Sequence, residues 1–316
     1  MEKEIPDTLK YFSLFSYAPT LDEIYVFLKE RASKGKLEAI LQQMVKKKAV
    51  TVYSEPVSTK LHRVRYTLGE YSINQAQSSN LKSRISKEKM RKIQKYVQIL
   101  AKFPQIKLIG LSGTVAMLNA EENDDVDLFI ITAKNRLFTG RFIAIVFAQL
   151  LGLKRSRDSA TKFFHSEKIY FASSRSHKHK DKVCLNLFFD ESSLTVPEFK
   201  KTEYVAHEIL QMKPLIAKGD AYKRFLEANR WVFRIFPNAR FKIKDQRSKP
   251  QRKKKNFLGD IFEYLVKKFQ LYLIRKHQTK EIITSTQLWF HPKDFGKELG
   301  EAFYQVRLRE HQDKIC

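Results

Sequence analysis

The chain has 316 residues, room for two or three domains, and its 43% hydrophobic and 12% aromatic content argues for packed cores over disorder. Sixty Lys and Arg against 34 Asp and Glu give a formal charge of +26, an excess that favours polyanionic partners such as nucleic acid or polyphosphate. Only Cys184 and Cys316 are present, which excludes a disulfide framework or a cysteine zinc site and points to a reducing cytoplasm.

The opening MEKEIPDTLK carries acids and a proline where a secretion signal needs a basic and then an apolar stretch. The longest apolar run, residues 142–153, is about 12 residues where a bilayer span needs roughly 20. No membrane partner is therefore expected.

Residues 1–75 read as three short helices followed by two strands. An apolar pattern at 9–15 is entered from Asp7. Thr20-Leu-Asp-Glu23 is a capping box, with the Thr20 hydroxyl and the Glu23 carboxylate each serving the other's backbone N–H. It opens a helix with Leu21, Ile24, Tyr25 and Leu28 on one face. A third helix turns Leu37, Ile40, Leu41, Met44 and Val45 inward and ends in Lys46, Lys47 and Lys48, where cations suit the dipole. Strands are expected at 49–53 and 62–68. This order, with YFSLFSYAPTLDEIYVFL ahead of a basic third helix and RVRYTLGEY as the returning strand, resembles the winged-helix family. The resemblance implies that the third helix meets DNA or RNA through Lys46 to Lys48, or else that the module docks protein.

A helical connector follows over 76–104, with its apolar set at Ile85, Ile93, Val97 and Leu100. Pro104 ends it by disfavouring helical geometry in the residue before. From 105 to 200 strand, loop and helix patterns alternate. From 201 to 316 the pattern is mostly helical and includes Tyr204 to Asn238 as two helices broken near Gly219-Asp220. A basic stretch at 247–256 reads as a solvated linker.

The chemistry concentrates in 106–132, IKLIGLSGTVAMLNAEENDDVDLFIIT. Residues 106–111 form an apolar strand. Ser112, Gly113 and Thr114 make a small-residue turn that opens a short helix, whose free N–H groups suit phosphate oxygens. A polar loop leads to a second strand, 125–132. Side chains two apart on a strand share a face, so Asp125 and Asp127 emerge together, about 7 Å apart. Their mutual repulsion is relieved by a divalent cation, and hard oxygen ligands favour Mg2+ or Mn2+. Val126, Leu128 and Ile130 face the other way, into a core.

The run Gly113-Thr114, ten residues, then Asp125-Val-Asp-Leu128 resembles the signature of the nucleotidyltransferase superfamily that includes DNA polymerase beta, with Thr114 where Ser or Gly is usual. The resemblance implies an α+β fold: a winged helix in front, a central polymerase-beta-like sheet with flanking helices, and a helical C-terminal region. It also implies metal-dependent transfer of a nucleoside monophosphate from a nucleoside triphosphate such as ATP to an acceptor hydroxyl. Asp125 and Asp127 would be catalytic metal ligands, and Ser112, Gly113 and Thr114 would hold nucleotide.

The family adds a third acid on a neighbouring strand. On residues 182–190 the choice lies between Asp190, acidic but at the strand's end, and Asn186, interior but neutral. Arg141, near the start of the helix at 137–153, is a candidate for reaching the triphosphate. His207-Glu208 lacks the second histidine of a zinc protease motif. The competing reading is a nucleic-acid-binding regulator whose transferase domain is weak or inactive.

Overall fold

A computed structural model describes residues 1–56, 62–68, 73–154, 181–242, 257–275 and 281–290. In chain order the helices are α1 (Glu4–Ser13), α2 (Leu21–Phe27), α3 (Lys34–Lys46), α4 (Ile73–Ala101), α5 (Gly113–Ala116), α6 (Leu137–Leu150), α7 (Glu203–Gln211), α8 (Ala221–Ala228), α9 (Val232–Ile235) and α10 (Phe257–Arg275). The strands are β1 (Thr51–Pro56), β2 (His62–Thr67), β3 (Ile106–Leu111), β4 (Val126–Thr132), β5 (Val183–Asp190), β6 (Lys213–Ala217), β7 (Ile282–Ile283) and β8 (Gln287–Trp289). The protein is thus mixed α and β around an open mixed sheet. Among the described residues no helix is long and apolar enough to cross a membrane.

The capping box forms as the sequence demands: Glu23 N–H donates to Thr20 Oγ1 at 3.3 Å, and Thr20 N–H donates to Glu23 Oε2 at 2.8 Å. Ser33 caps α3 through the Lys36 N–H. Strands β1 and β2 pair antiparallel. Ile5, Leu9, Ile24, Leu28, Leu37, Leu41 and Val50 close a small core of their own. The other faces of α1 and α2 are not left to solvent. Phe12, Tyr17, Val26 and Phe27 enter a larger core with α7, α8 and α9.

Among the described residues the main sheet has six strands in the order β6-β3-β4-β5-β8-β7, and of its neighbouring pairs only β4 and β5 run parallel. One face, through Leu108, Phe129, Ile131 and Phe189, packs on α1, α2 and α7–α9. The opposite face, through Ile109, Val126, Leu128, Ile130 and Phe188, packs on α4, α6 and α10. Covering on both sides explains why β3 and β4 are mostly apolar, with Lys107 and Asp127 the charged exceptions.

One expectation needs correction. Residues 204–238 are not simply two helices: β6 lies between α7 and α8 and pairs with β3. Pro214 pushes Lys213 toward extended geometry, and an edge strand tolerates its missing N–H. Beyond residue 200 helices predominate among the described residues, and β6, β8 and β7 add three strands to the sheet. The basic stretch at 247–256 falls outside the described residues, apart from its place in the sequence.

Candidate active site

Strand β3 ends at Leu111, and the chain turns through Ser112 and Gly113 into the single turn of α5. The Ser112 N–H donates to the Asp127 carbonyl at 3.0 Å, extending the β3–β4 ladder to the acid. Gly113 adopts φ +66, open to glycine and strained for other residues. A Cβ placed there would stand 2.5 Å from Oδ2 of Asp127. Turn and acid therefore touch, as the spacing predicts.

Asp125 immediately precedes β4, and Asp127 lies within it, on the face shared with Phe129 and Ile131. The loop before them is held from α4. The Lys89 ammonium, 1% exposed, donates to the carbonyls of Glu122 at 2.7 Å and Asp124 at 2.8 Å, and to Asp181 Oδ1 at 3.1 Å. Asp124 itself is a buried brace: its Oδ2 accepts the Thr114 hydroxyl at 2.7 Å and the Glu121 N–H at 3.2 Å. The Thr114 hydroxyl is thus directed at Asp124.

A third carboxylate comes from an unforeseen direction. Glu208 of α7 accepts the Gly113 N–H and lies within electrostatic reach of Asp127. Burial and the Asp127 charge push its carboxyl up to about 7, and the Gly113 hydrogen bond offsets only part of this. Tyr204, one helical turn earlier, has its phenol raised by burial and by Glu208, Tyr11 and Asp127. The sequence shows Glu208 only as half of a failed zinc motif, and the one available signal was its position in an amphipathic helix. The amide expected to await phosphate is here engaged by protein.

His207 anchors α7. Its ring stacks on Tyr11 at 3.8 Å and on Phe27 at 4.3 Å, and it is 2% exposed. Burial, with Lys29 adding to the effect, holds its imidazole well below the usual value.

Other expected participants lie elsewhere. In the parallel register Asp127 faces Cys184, whereas Asp190 faces Thr132, five residues along. That separation is roughly 16 Å of strand. Asp190 is spent locally, accepting the Ser192 N–H at 2.8 Å and the Ser192 hydroxyl. It is corrected from third acid to turn former. Beside Asp127 the neighbouring strand offers Cys184 and Asn186, joined by a contact from Asn186 Nδ2 to Cys184 Sγ at 2.6 Å.

Arg141 sits on α6, across the sheet from Asp127. It donates to Gln270 and stacks on Phe290 at 4.6 Å. That position corrects its expected reach toward a triphosphate. Lys46, Lys47 and Lys48 are exposed at the C-terminal end of α3.

Among the described residues no group of three or more His, Cys, Asp and Glu is gathered in metal-ligand geometry. No family profile, curated protein or solved structure matches this chain.

Proposed function

We propose that the protein is a metal-dependent nucleotidyltransferase, moving a nucleoside monophosphate from a nucleoside triphosphate to an acceptor hydroxyl. The carrying observation is the Gly113 backbone placed against Asp127, whose strand β4 begins directly after Asp125. The donor set suits Mg2+ or Mn2+. Asp125 and Asp127 are hard oxygen ligands; burial first, and then the Asp127 charge, lifts Glu208 to about 7, and a divalent ion would offset the second of these. The bound ion would neutralise phosphate charge and align the triphosphate for in-line attack.

The chain's own part is positional. Asp125 and Asp127 would hold the ion. Gly113, lacking a side chain, lets the Asp127 carboxylate lie against the turn. Lys89 and Asp124 fix the loop that sets the angle of Asp125.

A second reading has its own support. Asp190 is remote, the strand position beside Asp127 is neutral, and the Gly113 amide is engaged by Glu208. These features favour a protein that binds nucleotide with little turnover, while the exposed lysines at 46–48 contact nucleic acid. Incubation with each labelled triphosphate, Mg2+ and cell extract separates the two. Transfer of label that Asp125→Asn with Asp127→Asn abolishes supports the enzyme. Absence of label, with salt-dependent nucleic-acid binding lost on replacing Lys46 to Lys48 by Ala, supports the regulator.

A further inference from the structure

Helix α10 lies on the protein through a mixed face, with Val266 and Leu271 against the core beside the polar Glu263 and Gln270. Glu263 accepts the N–H groups of Phe138 at 2.9 Å and Thr139 at 2.8 Å, capping the start of α6. Gln270 donates to the Phe138 carbonyl at 2.8 Å and accepts from Arg141. Only Val266 and Gln270 of the helix are buried.

The outward side is apolar. Phe257, Leu258, Ile261, Phe262, Leu265 and Phe269 are between 43% and 77% exposed. At about 100° per residue they share one arc of roughly 140°. An exposed apolar stripe of such size on a surface helix marks a contact surface.

Cations stand at one edge of that arc and just within it, Arg275 in line with Phe257 and Lys268 about 20° inside. Lys267, Lys268 and Arg275, with Tyr264, Leu271 and Tyr272, line an open groove of about 820 Å³ along one edge. In the sequence, residues 247–256, directly ahead of the helix, carry six Lys and Arg and no acid.

We propose that α10 is an interfacial membrane helix, lying along an anionic lipid bilayer with its apolar arc at headgroup depth and its flanking cations on lipid phosphates. Charge complementarity selects this occupant. A second copy packed parallel would set Lys267, Lys268 and Arg275 against their own images. A nucleic acid would satisfy the cations but leave the apolar arc in water. A bilayer of acidic phospholipids answers both, since apolar burial and polybasic attraction add. Lying along the surface differs from spanning it. Asp260, Glu263, Lys267 and Lys268 within the helix exclude a transmembrane path. The proposal is independent of whether Asp125 and Asp127 handle nucleotide.

The test is co-sedimentation of the full chain with vesicles of phosphatidylcholine alone and of phosphatidylcholine with phosphatidylglycerol. Leu265→Asp with Phe269→Asp is the variant, both sites being exposed, and circular dichroism checks its fold. Binding should favour the anionic vesicles by at least about tenfold, weaken with salt, and fall at least about tenfold in the variant. Failure of wild type to bind anionic vesicles overturns the proposal. So does binding that the variant leaves unchanged, which would assign adsorption to the basic stretch alone. A dimer in sedimentation equilibrium that the variant dissociates, without vesicle binding, would give the face to a second copy.

Discussion

Gly113 stands so close to Asp127 that a single added carbon would reach within 2.5 Å of the carboxylate oxygen. Position 113 is therefore constrained twice, by its left-handed backbone and by its neighbour. Gly113→Ala should lower stability by about 1–3 kcal/mol in urea unfolding. It should also abolish Mg2+-dependent nucleotide binding, because Asp127 must rotate away. A variant that binds nucleotide normally would separate the turn from the site.

Glu208 gives the site a pH dependence. Its folded value of about 7 lies above the ordinary 4.5, so the protonated acid suits the fold. That contribution is complete below pH 4.5 and is lost as pH rises through about 7. From the shift it amounts to about 3 kcal/mol at most. Glu208→Gln should remove this loss, so that the variant is the more stable protein at pH 8 and not at pH 4. Urea midpoints at the two pH values check it.

His207 works in the opposite sense. Its imidazole is held neutral between Tyr11 and Phe27, with a folded value well below 6.5. Its contribution is complete above pH 6.5 and is lost as pH falls below it, by up to about 1.4 kcal/mol per pH unit. His207→Phe should flatten the acid side of the stability profile, measured by thermal unfolding between pH 5 and 7.

The strand-turn-strand at 106–132 was legible because its signals are local: an apolar run, a glycine turn, and two acids at spacing two. So was the capping box at Thr20 and Glu23. Glu208 was not legible, because nothing near it in sequence says which strand its helix covers. Asp190 misled for a related reason. Alternation gives a side chain's face, but only the β4–β5 register gives its height along the strand. Strand β6 left a readable mark in Pro214, outweighed by the apolar residues around it.

Lys89 is another residue that sequence presents as one more helix-surface cation, yet it holds the loop ahead of Asp125 from within. Lys89→Met keeps the length and leaves two carbonyls and Asp181 without their buried donor. Stability should fall by about 3 kcal/mol or more. Nucleotide binding should weaken even at temperatures where the variant stays folded, which isothermal titration calorimetry would read.

The strand order carries a cost in time during synthesis. β3 finds β6 only after about a hundred further residues have been made, and β5 waits about as long for β8. At ribosomal rates that leaves two backbone edges bare for roughly 5–20 s. Throughout that interval the nascent sheet is a template for the wrong strand, and its protection falls to whatever holds the emerging chain.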